Sequence, residues 1–290
     1  MKSSRYLGLL AVFAATAGCS AVGNTSNSDS GAKTSTSRSG PAAASVEGRV
    51  LDYGRPMKAP MSLVIQARSG RVAAVLSSSA TAEVHATKTV ADGDPASQRV
   101  VLRERADATV VCVLDATERD DACGAERERG HRRERDRADG DSDHIRIDFE
   151  VEVPAGVALE ASTLHGDLEA RDLQSDVEAS TSNGALRLAT TGRIVASTLN
   201  GIIEATALGP GQADPIDLQS TNGRIDVRLA DRSSFDIDAS TQRGSVKSDF
   251  PLPKVGASFG PSVVRGTVGG GGAALRMRTD SGDIEVRRVD

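Results

Sequence analysis

The chain is poor in aromatic residues: no tryptophan, two tyrosines and five phenylalanines among 290 residues. Rings are the usual stacking platforms for sugars, so their scarcity disfavours a carbohydrate-active site. Cysteine and histidine are also scarce, at three and four residues. The spacing of Cys112, Cys123, His131 and His144 matches no common zinc framework, and no metal or other cofactor is expected. A strong charge of one sign is missing too. The net charge is -5, slightly more negative if Lys2 and Arg5 are removed, which argues against nucleic acid or an anionic lipid surface as partner. Apart from a dozen apolar residues near the N-terminus, no apolar run approaches the ~20 residues that span a bilayer.

What the chain has instead is repetition. Glycines recur at Gly166, Gly184, Gly201, Gly223, Gly244 and Gly282, at intervals of 18, 17, 22, 21 and 38 residues. Aligned on them, the neighbours fall into columns. Seven residues before stand Leu159, Val177, Ile194, Ile216, Ile237 and Leu275; three before stand Thr163, Thr181, Thr198, Ser220, Thr241 and Thr279; two after stand Leu168, Leu186, Ile203, Ile225, Val246 and Ile284. Buried columns two residues apart are strand periodicity. Polar residues between them, among them Arg187, Glu204, Arg224, Asp226 and Glu285, are expected to face outward. Glycine suits a tight turn because it tolerates positive φ, and Asn183, Asn200 and Asn222 just before it share that tolerance. One unit of about 20 residues cannot offset an ordering cost of roughly 1–2 kcal/mol per residue. Stacked units can, because each strand then pairs above and below. The expectation is an all-β, single-stranded β-solenoid of 17–22-residue coils. A sandwich or barrel of hairpins would share the strand spacing, but not columns of like residues such as the recurring Thr/Ser position. In this register Ile225→Asp should be severe and Asp226→Ser nearly silent.

Residues 1–18 read as a targeting segment, with Lys2 and Arg5 ahead of the apolar run Tyr6–Ala17. The sequence Thr16-Ala17-Gly18-Cys19 resembles the lipobox of bacterial lipoproteins, with Thr16 where leucine is usual. The resemblance implies cleavage before Cys19, lipidation of its thiol and attachment to a membrane. Ser20 in place of aspartate implies the outer membrane in a Gram-negative cell. Residues 19–45 are rich in Ser, Thr, Gly and Ala and read as a flexible tether.

The remaining residues, 46–290, read as one elongated domain. Gly70 obeys the repeat register, with Leu63, Ile65 and Ala67 before it and Val72 and Ala74 after, so a first coil is expected at 62–76. Strand-like segments follow at 82–87, 99–102, 109–114 and 144–153. Between Asp115 and Asp143 lies a charged insertion (Glu126-Arg127-Glu128-Arg129, Arg132-Arg133-Glu134-Arg135) expected to be a solvated loop or, on the functional reading, the contact point for a protein or envelope-polymer partner. In an exported chain whose Cys19 carries lipid, Cys112 and Cys123 are expected to form a disulfide.

No catalytic constellation stands out. Asp139, Asp141, Asp143 and Glu150 imitate a calcium loop, but His144 replaces its glycine. The run Gly266–Gly272 is followed by a strand pattern and not by the helix a phosphate cradle needs, and is expected to be a loop. Asp226, Asp236 and Asp238 imitate the acid cluster of a polysaccharide-cleaving β-helix, which keeps such an enzyme as the alternative. Arg224, Arg228 and Arg243 beside them favour cross-strand charge pairing.

The Ser/Thr-x-x-Gly-x-φ-x-φ units, the segment Val153-Pro154-Ala155-Gly156-Val157 and the Cys112…Cys123 pair together resemble the bacterial DUF4097 family of candidate adhesins with a β-strand repeat. The resemblance spans roughly residues 46–290. It implies an extracytoplasmic β-solenoid that binds or scaffolds in the cell envelope without catalysis. It carries over no binding residues.

Overall fold

The computed structural model describes residues 46–124, 144–208, 214–252, 254–256 and 261–289. The leader, Cys19 and the tether, and with them residues 125–143 of the insertion (His131, Asp139, Asp141 and Asp143 included), lie outside the described residues. Strand pattern becomes strand almost everywhere. The N-terminal part holds β1 (Val46–Pro56), β2 (Ser62–Gln66), β3 (Val72–Leu76), β4 (Thr81–Val90), β5 (Gln98–Glu104), β6 (Ala108–Asp115) and β7 (Ile145–Val153). The regular repeat follows with β8 (Ala158–His165), β9 (Leu168–Leu173), β10 (Val177–Asn183), β11 (Leu186–Thr190), β12 (Ile194–Asn200), β13 (Ile203–Ala207), β14 (Ile216–Asn222) and β15 (Ile225–Ala230). The C-terminal part adds β16 (Phe235–Arg243), β17 (Val246–Ser248), β18 (Lys254–Gly256), β19 (Ser262–Val268), β20 (Ala273–Ser281) and β21 (Ile284–Val289).

Each coil lays one strand in an eleven-stranded sheet, turns at its glycine, and lays the next in a ten-stranded sheet. We call these sheets B and A. Within the coils the pairing is parallel and in register: Leu159 lies beside Val177, Val177 beside Ile194, Ile194 beside Ile216, and Ile216 beside Leu275. In sheet A, Leu168, Leu186, Ile203, Ile225 and Ile284 form the matching row. These side chains are fully buried between the sheets. Burying each contributes on the order of 1.5–3 kcal/mol, and stacking repeats the gain at every coil.

The corner explains the two conserved columns. A Cβ placed on Gly184 would meet the carbonyl of Gly166 closer than 3.0 Å, and the same overlap links Gly201 to Gly184, Gly223 to Gly201, Gly282 to Gly223 and Gly244 to Gly282. Glycine is required here by the approach of one backbone to the next. The buried threonine column answers the same carbonyls. Thr181 Oγ1 donates to Gly166 O (3.2 Å), Thr279 Oγ1 to Gly223 O (3.0 Å) and Thr241 Oγ1 to Gly282 O (2.8 Å). A buried hydroxyl without such a partner would cost about 1–3 kcal/mol.

The unequal intervals have local causes. Beside β11, β9 carries one extra residue, where the register slips between Leu188 and Thr190 and Asp172 takes a positive φ of 55°. This bulge makes the first interval 18 and not 17. The surplus in the third interval falls between β13 and β14, and that in the fourth is the loop 231–234 between β15 and β16.

The stack does not follow chain order at its ends, contrary to a continuous winding from 46 to 290. Along sheet B the order is β6, β2, β8, β10, β12, β14, β20, β16, and along sheet A it is β7, β3, β9, β11, β13, β15, β21, β17. The coil β6–β7 thus lies outside the first coil β2–β3, and the last coil β20–β21 slips between β14–β15 and β16–β17. Antiparallel strands close three of the four outer edges: β4 and then β1 against β7, β5 against β6, and β19 and then β18 against β16. Such caps blunt the exposed edges of a parallel stack. The stretch 262–268, including Gly266, is therefore strand β19 and not loop. Only the later glycines of the run turn the chain into β20.

Candidate functional site

Cys112 and Cys123 meet over the outward face of sheet B. Cys112 points away from the solenoid core, and Cys123 reaches it across the surface as a disulfide with Cα atoms 5.5 Å apart. Together with Val110 and Leu114 they make a second, smaller core outside the sheet, against which Val64, Val101, Ala108 and Ala122 pack. The start of the insertion, 116–124, is therefore a docked strap and not a solvated loop. Arginines of β5 and of the turns beside β2 and β5 hold it. Arg99 pairs with Asp120, Arg103 donates to Asp120 O (3.1 Å), Arg105 donates to Gly124 O (2.9 Å), and Arg68 pairs with Asp115 (3.0 Å) and Glu118 (2.8 Å). The alternation of apolar residues on both faces of β6 was the readable signal for this second layer.

The outward face of sheet A is a charge ladder. Glu169, Arg187, Glu204, Asp226 and Glu285 stand in register on successive strands. Arg71 and Arg171 both grip Glu169; partial burial pushes its carboxyl up, but the two guanidiniums outweigh this and hold it below the usual glutamate range. The Arg287 hydrogen bond lowers Glu285 in the same way. Asp283 is lowered because Ser245 donates its backbone N–H (2.7 Å) and hydroxyl (2.9 Å) to one carboxylate oxygen. Asp226 corrects an expectation. It lies on the outward face yet is only 4% exposed, covered by arginines, with Arg224 Nε at 2.8 Å.

On sheet B, Glu160 and Glu178 are direct neighbours. Desolvation, and then the Glu178 charge, raise the Glu160 carboxyl. The acids considered for catalysis do not converge. Asp226 belongs to sheet A, whereas Asp236 and Asp238 belong to sheet B, where they accept from Thr267 (3.0 Å) and pair with Arg265 (3.1 Å). His85 contacts Asp52, and His165 and His144 are exposed at strand ends. Among the described residues no three His, Cys, Asp or Glu side chains are grouped to hold a metal ion.

The asparagines before the glycines have another role than positive φ, which none of them adopts. Asn222 Nδ2 donates to Asn200 Oδ1 (3.0 Å), Asn200 Nδ2 donates to Asn183 Oδ1 (2.9 Å), and Asn183 Nδ2 meets His165 Nδ1 (3.2 Å). An unbroken side-chain ladder runs down this corner. Three asparagines in one column were the signal, visible once stacking is granted.

The Toastrack DUF4097 family model matches residues 137–287. The chain belongs to the Toastrack DUF4097 family. The match covers the regular coils β8–β15, the exchanged C-terminal coils and the last strand of the N-terminal part. Two solved structures are similar to this Toastrack chain. A candidate cell adhesion protein from Clostridium sporogenes aligns over 82% of this chain and 99% of its own, at 8% identity and a TM-score of 0.41. A candidate adhesin from Bacteroides fragilis aligns over 86% and 99%, at 9% identity and a TM-score of 0.25. Scores this low carry no functional argument. No curated protein matches the chain.

Proposed function

We propose that this Toastrack chain is a non-catalytic binding and scaffold module of the bacterial cell envelope, held to the membrane through lipid on Cys19. One observation supports the non-catalytic part most: the outward carboxylates that imitate an active site are each tied to an arginine or threonine and are split between two sheets. General acid–base work needs acids that converge on one substrate position. The solenoid offers instead a rigid, charge-paired surface, a suitable frame for adhesion-like contacts. The charged insertion 115–143 is the proposed partner-contacting segment, presented from the strap that Cys123 pins to sheet B.

The test is metabolic labelling with radioactive palmitate of cells making the full chain, with Cys19→Ala alongside, followed by incubation of the purified protein with a panel of acidic polysaccharides. Label on the native chain alone, with no turnover across the panel, is the expected result. An unlabelled native chain would contradict the anchor, and turnover of any polysaccharide would contradict the non-catalytic reading in favour of a carbohydrate-active enzyme.

A further inference from the structure

The loop 231–234, the surplus of the fourth interval, forms one wall of a cleft of about 250 Å³. The other walls are Phe250 and Pro251 after β17, the end of β19 with Gly269, and Arg288 of β21. Ser233 is 1% exposed, yet its hydroxyl has no hydrogen-bond partner. A buried hydroxyl left this way is destabilising and calls for a reason. The loop backbone is held in place. Ser233 N donates to Ala230 O (3.0 Å), and Ser234 Oγ donates to Gly269 O (2.7 Å). Gly269 has a φ of 63°, and a Cβ there would strike Ser233 O.

Charge and shape narrow what fits. Arg232 and Arg288 outnumber Asp231, which pairs with Arg288 at 2.9 Å. The Arg288 guanidinium lies over the Phe250 ring, 5.0 Å from its centroid. That face is therefore already taken and unavailable for stacking a sugar. Beside the cleft runs β17, the last strand of sheet A. Antiparallel strands extend the stack at both ends of sheet B and at the far end of sheet A, but here, among the described residues, the edge is a three-residue parallel strand. A sheet edge offers unpaired backbone groups to an extended chain, and Phe250 follows β17 by two residues.

We propose that this cleft takes the carboxylate side chain of an acidic, extended peptide segment that lies along the β17 edge. The carboxylate accepts from the Ser233 hydroxyl and from Arg232, and the aliphatic stem of the side chain rests on Pro251. The proposal deepens the binding-module reading and rests on it, because it names the chemistry of one partner contact.

The test is an NMR titration of the 15N-labelled full chain with a blocked five-residue peptide of valine and threonine carrying a central glutamate. The same peptide with central lysine is the comparison. Saturable shifts at Ser233, Gly269 and Lys247 are expected with the glutamate peptide, with affinity at least about tenfold weaker for lysine. Ser233→Ala and Arg232→Ala should each weaken the glutamate peptide by roughly tenfold. Ser233→Ala should leave the melting temperature unchanged or higher, since it removes an unpaired hydroxyl. Equal affinity for the two peptides, no saturable shift, or insensitivity to both substitutions would overturn the cleft. None of those results bears on lipid labelling or polysaccharide turnover, so the module reading would survive them.

Discussion

Gly184 and Thr181 show how narrowly single positions are specified. The glycine lets one backbone rest against the carbonyl of the coil beside it, and the threonine then fills that carbonyl's bonding capacity. Gly184→Ala is expected to destabilise by roughly 3 kcal/mol or more, since neither backbone can retreat without breaking its ladder. Thermal melting of the purified variant reads this, and an unchanged midpoint would show the corner to be looser than described. Ile225 and Asp226 are neighbours with different kinds of burial. Ile225→Asp puts an unpaired charge in the dry interior and should cost about 4 kcal/mol or more. Asp226→Ser removes the carboxylate that Arg224 and Arg287 share and should cost about 1–2 kcal/mol. Alternation of polar and apolar residues gives only the direction of a side chain. That Asp226 is covered depends on two arginines, one of them from a strand that chain order does not place beside it.

Among the elements, β8 to β15 were readable almost residue for residue, because each coil repeats the same columns and the columns dictate the register. The strap was not. Its residues 116–124 are mostly polar, and what docks them is an apolar outer face on β6 together with arginines just after β2, on β5 and in the turn after β5. Joining Cys112 to Cys123 closes a short loop, which by chain entropy is worth roughly 2–3 kcal/mol. Cys112→Ser with Cys123→Ser should lower stability by about that amount, and limited proteolysis should cut the strap before the solenoid. A strap as resistant as in the native chain would mean that the arginine contacts suffice alone. Cleavage of the coils at the same rate would mean that the second core supports the whole stack.

For the whole molecule, the repeat told the architecture but not the order of stacking. From β8 onward every coil carries the same aliphatic, Ser/Thr and glycine columns, so the columns alone do not say which coil sits on which. The exchange at each end is decided by what covers the edges. β19 needs the outer side of β16, and β20 gains a parallel neighbour on both sides by lying inside. The cleft beside Ser233 was equally invisible in the sequence, because it forms where the end of the displaced coil β16–β17 meets the inserted β21. The exchanged order is the claim on which both the charge ladder and the cleft depend, and cysteine cross-linking tests it most directly. Asn222 lies beside Ser281, whereas winding in chain order would place it beside Arg243. Under mild oxidation the pair Asn222→Cys with Ser281→Cys is expected to form a disulfide in high yield, and Asn222→Cys with Arg243→Cys to form none. The reverse pattern would contradict the stack described.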